Sequence, residues 1–325
     1  VTLERAMRAE REQGVALIGA VLVVSLVAVI ATAMLREQHF AVRRTGNLIH
    51  GEQAYAYALG AETWARVILR RDAEEGSIDY LDEDWAAVLP PIAVEGGIIE
   101  GRILDQQGRF NLNNLVDAQG KAQDGPVNQY RRLLELLDLD PDLADALVDW
   151  MDADEQTRFP HGAEDDRYLS RLPPYRAANR PLADVTELRL IEGYSEAVLE
   201  QLLPQVAALP GGTAVNVNTA SAEVLASLSE QTQLTDGEQL VEQRQDEPFQ
   251  SQAAFRSHNA LAGQTLFDVP LSVSSDYFLV QGHVQIGRGE IWLRSLLERK
   301  GAEIRTLRRS RTLPALESGA EPVSS

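Results

Sequence analysis

The sequence predicts an α+β protein in which one long N-terminal helix packs on a small antiparallel sheet, with a large all-α domain inserted between the strands. Three observations carry this. Val15 to Leu35 is a run of 21 residues without Asp, Glu, Lys, Arg, Asn, Gln, Pro or His, and helix-compatible sequence continues well beyond it. Alternating apolar and polar residues occupy two separated blocks, Gly96 to Leu115 and Asp276 to Arg311. Between them, from Asp117 to Ala262, the spacing is helical and helix start signals recur.

As a helix rising 1.5 Å per residue, the apolar run covers about 30 Å, one bilayer core. Ala31-Thr32-Ala33 would suit cleavage of an ordinary secretory signal. Against cleavage, no turn follows: the first proline is Pro90, and Tyr55, Ala58, Leu59, Ala65, Ile68 and Leu69 trace one apolar helical face. The span and its continuation therefore read as one helix, half in lipid and half out.

An acidic loop follows from Asp72 to Pro91. The first strand block reads as a hairpin turning at Asp105-Gln106-Gln107-Gly108, and the second has turns at Gly287 to Gly289 and at Gly301. In the helical middle, Asp140-Pro141 reads as an N-cap with a first-turn proline, and Asp184-Val185-Thr186-Glu187 as a capping box with Gly193 beyond it. Thr219 reads as the cap of a helix with Glu223 in its first turn. Trp85, Trp150, Tyr168, Tyr175 and Tyr194 are expected as core anchors, and Leu316 to Ser325 as a disordered tail.

The 325-residue chain carries a formal net charge of −19 and no cysteine. So acidic a surface repels nucleic acid, and stability rests on cores or metals rather than disulfides. No H-E-x-x-H, no G-x-S-x-G and no phosphate loop is present, and His39, His50, His161, His258 and His283 lack metal-ligand spacing. The reading is non-enzymatic. Between Asp138 and Asp166, eleven carboxylates face one basic residue, Arg158. Asp149 and Asp152 share a helical face, while Asp154 and Glu164-Asp165-Asp166 can close from the following loop. A solvated acidic face and a Ca²⁺ site are both open readings. A regular EF-hand is excluded: counted from Asp152, the sixth position is Thr157 and the twelfth Ala163.

The leader before the apolar run holds Arg5, Arg8 and Arg11 against Glu4, Glu10 and Glu12 and ends in Gly14. A charged leader ending in Gly and leading directly into an apolar helix resembles the amino terminus of type IV prepilins and pseudopilins. The resemblance implies cleavage by a prepilin peptidase between Gly14 and Val15, with methylation of the new amine. Met7 offers a second start, giving the leader MRAEREQG. Three arginines precede the span and Arg36, Arg43 and Arg44 follow it, so the inside rule is nearly tied. Orientation, with the C-terminal part in the periplasm and a single pass through the bacterial inner membrane, comes from the resemblance.

Most of that family carries Glu at the fifth mature position, where it neutralises a neighbour's buried amine; here that position is Gly19. A subunit without it suits the end of a filament. Together with a large insertion, and with the segments Asp149 to Tyr194 and Asn216 to Leu225, this resembles the minor pseudopilin K family of type II secretion systems. What it implies is a leader at 1–14, a transmembrane helix at 15–35, a pilin-like body at 36–116 and 266–312, an inserted α-helical domain at 117–265 and a tail at 313–325. It further implies a place at the pseudopilus tip with I-, J- and H-type minor pseudopilins, the major pseudopilin below, and a role in starting assembly and exporting folded proteins. Relatives bind calcium in the α-domain, which makes Asp149, Asp152, Asp154, Glu164, Asp165 and Asp166 the candidate ligands.

NVNTASAEVLASL also resembles the opening of helix-hairpin-helix domains, and a membrane-anchored periplasmic DNA-binding or competence protein is the rival reading. Between Arg189 and Arg244 there is no basic residue to supply the phosphate term, so no nucleic-acid partner is expected.

Overall fold

Helix α1 runs unbroken over Thr2–Glu75. The computed structural model describes residues 2–311, with side chains from Ile18 onward. The expected tail at 313–325 lies outside the described residues, as do the side chains of Gly14 and Val15. From Ile18 the helix is long and apolar enough to cross a membrane, with a mean hydropathy of 2.7 over its most apolar window and none of that window buried. Further along, one stripe turns inward: Ala54, Ala58, Ala65 and Leu69 are buried, and Tyr55, Leu59 and Ile68 are half-buried beside them. The apolar periodicity thus marks the face that meets the sheet, and small alanines let sheet and helix approach closely.

Nine strands are described: β1 Ile92–Val94, β2 Gly97–Asp105, β3 Phe110–Asn111, β4 Val206–Ala207, β5 Val215–Asn216, β6 Leu271–Ser272, β7 Tyr277–Ile286, β8 Gly289–Lys300 and β9 Glu303–Ser310. Five of them form the main sheet, antiparallel throughout, in the order β1-β2-β7-β8-β9. The central pair, β2 and β7, joins strands far apart in sequence, with Gly97 opposite Ile286 and Asp105 opposite Phe278. Near the start of the packed stretch of α1, Ala54 and Ala58 meet Val284, Ile286 and Leu293. Near its end, Ala65 and Leu69 meet Ile103, Phe278, Val280, Leu297 and Ile304, with Trp85 packed edge-on to Phe278 at 5.2 Å. The chain therefore leaves the sheet after Asp105, and returns at Tyr277, at the end remote from the apolar span.

Between those points lie seven helices: α2 Asp124–Leu136, α3 Leu143–Met151, α4 Asp165–Leu169, α5 Glu196–Leu202, α6 Ala222–Ala226, α7 Leu234–Asp246 and α8 Gln252–Arg256. They share one core that runs from Phe110 to Leu271 and includes Tyr130, Leu133, Leu147, Trp150, Tyr168 and Phe255. This head is helical but not purely so, since β3 pairs in parallel with β4, and β5 with β6.

The expected hairpin at Asp105 to Gly108 does not form. The Asp105 carboxylate instead accepts the Gln107 amide at 2.9 Å, the Gly108 amide at 3.0 Å and the Thr219 hydroxyl, which turns the chain out of the sheet. Phe110 and Asn111 then pair with β4, and 112–115 forms a 3-10 turn. The hairpin partner of β2 is β1, a three-residue strand at the end of the acidic loop. Two expected caps also shift. Asp140 caps a turn by accepting the Asp142 amide at 2.9 Å, and α3 begins only at Leu143. Ser221, rather than Thr219, caps α6 through the Val224 amide at 3.2 Å, because Thr219 is held by Asp105. The capping box of Asp184 and Glu187 is present, on a 3-10 helix over Val185–Leu190.

Candidate functional site

Helix α3 brings its apolar side to the head core and leaves Asp149 near its C-terminal end, followed by Asp152 at the C-cap. A loop then returns so that Glu164, at the N-cap of α4, comes back against the same place. Asp149, Asp152 and Glu164 are all buried, at 0%, 5% and 5% exposure. The return needs a glycine: a Cβ on Gly162 would lie 2.1 Å from Asp149 Oδ2. Asp149 Oδ2 accepts the Arg158 amide at 3.0 Å. Four further oxygens accept no hydrogen bond at all: Asp149 Oδ1, Asp152 Oδ1 and both carboxylate oxygens of Glu164. The counter-charge beside them is Arg158, whose Nε stands 3.7 Å from Asp149 Oδ1 and is itself without a hydrogen-bond acceptor.

The electrostatics match this geometry. Burial pushes Asp149 up to about 6. Burial and the neighbouring charges of Asp154 and Asp149 push Asp152 up to about 7. Burial and the charges of Asp149 and Asp152 do the same to Glu164, to about 7. Two of the carboxylates also sit at the negative end of α3, where further negative charge is unfavourable. Buried, mutually repelling carboxylates with orphaned oxygens are costly unless neutralised. A set of hard oxygens supplied by a helix end and a loop fits Ca²⁺, which takes six to eight oxygen ligands in flexible geometry. Such an ion would be held by Asp149, Asp152 and Glu164 and would supply charge neutralisation to the loop.

The other expected ligands lie differently. Asp154 is exposed at the rim, where one oxygen accepts the Gln156 amide at 2.8 Å. Asp165 is turned away, accepting the Ala177 amide at 3.0 Å and pairing with Arg176 at 3.0 Å. Asp166 is exposed on α4. Among the described residues, the acidic groupings whose ligand atoms all lie within 4.8 Å of one another are two others, already matched to internal partners. His161 pairs with Asp142 at 2.7 Å beside Asp145, which pairs with Arg131 at 2.6 Å. Asp72 and Asp79 both meet Arg299 at 2.5 Å, with Glu83 nearby.

The helix-hairpin-helix-like segment offers no cationic face. Asn216 and Asn218 are buried, and Asn218 is tied to Phe249 through both its amide nitrogen and its carbonyl oxygen. Helices α6 and α7 touch so closely that a Cβ on Gly237 would lie 2.2 Å from the Ala222 carbonyl oxygen. Arg244, the first basic residue after the motif, is buried and donates inward to the carbonyls of Val217 and Ala220.

Composition did not foretell the bolts that fix head, sheet and helix together. Glu62 on α1 is 2% exposed and accepts from Arg309 at 2.6 and 2.8 Å, from Ser295 at 2.7 Å and from Thr306 at 2.8 Å. Burial alone would raise its pKa, but these hydrogen bonds and the Arg309 charge hold it down at about 2. Arg308 reaches from β9 to Asp184 at 2.5 Å and to the Ala183 carbonyl of the head. The one sequence signal for these was the cluster Arg305, Arg308, Arg309 and Arg311 in an otherwise acidic chain.

A long helix half in apolar sequence and half packed on a five-stranded antiparallel sheet, with a helical head spliced into the sheet, defines a pilin-like subunit of the large-headed kind. Family models described as type II secretion system protein K match residues 108–211 and 215–274. Type II secretion system protein K of Pseudomonas aeruginosa is 40% identical over 310 residues, 92% of each chain. That of Klebsiella pneumoniae is 37% identical over 306 residues, 90% of this chain and 94% of its own. A crystal structure of the GspK-GspI-GspJ complex from enterotoxigenic Escherichia coli superposes with a TM-score of 0.75 at 27% identity, covering 83% of this chain and 99% of that one. The chain belongs to the type II secretion system protein K family, the minor pseudopilins with an inserted α-domain.

Proposed function

We propose that this subunit caps the tip of a type II secretion pseudopilus, where it starts assembly and serves the export of folded proteins across the outer membrane. The observation that carries the reading is the position of the head. It leaves the sheet after Asp105 and returns at Tyr277, beyond the end of α1 remote from the apolar span. In a filament built by stacking N-terminal helices, a head so placed blocks any subunit above. Gly19 supports the same place, because a tip subunit has no further neighbour whose amine needs a carboxylate. The partners that fit are I- and J-type minor pseudopilins, as in the complex that names the similar structure, with an H-type subunit and the major pseudopilin below.

In this reading a prepilin peptidase cuts between Gly14 and Val15, α1 holds the chain in the inner membrane, and body and head stand in the periplasm. Asp149, Asp152 and Glu164 bind a structural calcium ion that keeps the head in shape; Asp154 completes the rim. The protein performs no catalysis and binds no nucleic acid. The test is gold labelling of a single cysteine placed in the head, on pseudopili assembled with this subunit. Label at one end of each filament is the expected result; label along the shaft would refute the tip assignment.

A further inference from the structure

Between the apolar span and the packed body, α1 carries three arginines, Arg36, Arg43 and Arg44, all exposed. Among the described residues, none of the three meets a carboxylate in an ion pair. Their direction on the helix is specific. Arg36, Arg43 and His50 follow one another at seven-residue spacing, which at about 100° per residue keeps them within about 40° of one line. His50 faces the sheet: a Cβ on Gly287 would lie 2.7 Å from its ring, and one on Gly289 2.6 Å from its carbonyl carbon. Arg36 and Arg43 therefore lie on the side of α1 above which the β7–β8 hairpin packs, while Arg44 lies about 100° around the helix from Arg43; exposed Arg288 sits at that hairpin's tip. About 100° around the helix from that line, away from Arg44, it shows Val42 and Ile49, exposed at 70% and 52%, a face suited to another apolar helix.

We infer that Arg36, Arg43 and Arg44 form a docking surface for anionic phospholipid headgroups, which seats the body on the leaflet from which α1 emerges. The inference rests on the membrane-anchor reading of α1. Arg36 directly follows Leu35, so it falls within the headgroup layer, roughly 5–8 Å deep on each side of a bilayer. Arg43 and Arg44 stand about 12 and 14 Å beyond Leu35, within a Debye length of about 8 Å from the lipid surface. The rest of the chain supplies the reason for such a surface. The whole chain carries a net charge of −19, so its body is repelled by an anionic leaflet, and the three cations nearest that leaflet oppose the repulsion. An acidic partner subunit would need to enter beneath the overhanging hairpin, whereas lipid is already there by continuity with the span.

The test uses the full chain, which has no cysteine, carrying Gln285→Cys near the hairpin tip and labelled with a fluorophore. It is reconstituted into vesicles of phosphatidylcholine alone or of phosphatidylcholine with phosphatidylglycerol, each with a headgroup-linked quencher. Insertion is read first, by resistance to alkaline extraction. The expected result is stronger quenching in the anionic vesicles, reversed by salt. At about fivefold per arginine, the triple variant Arg36→Gln, Arg43→Gln, Arg44→Gln loses about 10²-fold in the ratio of docked to undocked body. Equal quenching of inserted protein in both vesicle types, or an unchanged triple variant, overturns the proposal and leaves the anchor standing. A charge effect seen only after an acidic partner subunit is added also overturns it, assigning the stripe to protein. Extractable protein overturns the anchor reading, and the proposal with it.

Discussion

Replacing Glu164 by Gln separates a calcium site from a solvated acidic face by the sign of two effects. In chelator, the carboxylate is held beside Asp149 and Asp152 without compensation, and its rise from 4.5 to about 7 marks its charged form as unfavourable at neutral pH, by about 1–2 kcal/mol once solvent screening is allowed for. Glu164→Gln removes that charge while keeping the shape, so the chelated variant is expected to melt above the chelated parent. With calcium the order reverses. Calcium at about a thousand times its dissociation constant stabilises the parent by about 4 kcal/mol, roughly 8–16 °C in Tm for a unit of this size. The variant, whose amide keeps a single neutral oxygen in place of the two orphaned carboxylate oxygens, is expected to gain little of this. The assay is thermal unfolding of the full chain in detergent, parent and variant, each with calcium and with chelator. A parent whose Tm ignores chelation, or a variant that shifts the same way in both conditions, would refute the site.

Gly162→Ala tests the same site through packing: a Cβ 2.1 Å from Asp149 Oδ2 is expected to abolish the calcium-dependent Tm shift, read in the same melts. Glu62→Gln is expected to destabilise the chain by about 2 kcal/mol at neutral pH, measured by denaturant unfolding, because it weakens the charge-assisted hydrogen bonds between a buried carboxylate and half-exposed Arg309. The pH sign follows from a folded pKa of about 2 against 4.5 unfolded: the stabilisation is complete above pH 4.5, is lost as pH falls toward 2, and is absent in the variant at any pH. Intact mass of membrane-extracted protein is expected to show a chain starting at methylated Val15 only when a prepilin peptidase is present; cleavage after Ala33 would contradict the processing reading. A gel shift at low salt is expected to show no DNA complex.

How much of this could be read beforehand depended on range. The apolar face of α1 was visible because Ala58, Ala65 and Leu69 repeat within one helix, and β7, β8 and β9 because each follows the last across a short turn. Local pattern suggests a hairpin at Asp105 that does not form, because the deciding contact is with Thr219, 114 residues away. Period-two alternation is the same whether Phe110 pairs with β2 or with β4. The acidic segment was plain in composition, yet only burial separates Asp149, Asp152 and Glu164 from Asp165 and Asp166, and burial is set by how α3, Gly162 and α4 close on one another. Glu62 carries no local signal of its role on the sheet-facing side of α1, since its partner Arg309 lies 247 residues on.

Those late-found contacts share a logic that bears on the tip reading. In a chain with 30 basic residues against 49 acidic ones, three arginines of β8 and β9 are committed to the joints between parts. Arg309 fixes the sheet to α1 through Glu62, Arg299 fixes it to the end of α1 and its following loop through Asp72 and Asp79, and Arg308 fixes it to the head through Asp184. Directional hydrogen-bonded pairs hold an orientation, which apolar contact alone does not. The seam between head and sheet is correspondingly small in apolar area, with Ala207, Leu209, Tyr277 and Leu296 as its buried cluster. A subunit that ends a filament must present its head at one angle to the helix that anchors it. Arg308→Ala should therefore leave the head folded and calcium-responsive but free it to swing, seen as faster amide exchange at 181–184 and 306–310. Unchanged exchange there would mean that the apolar seam alone sets the angle.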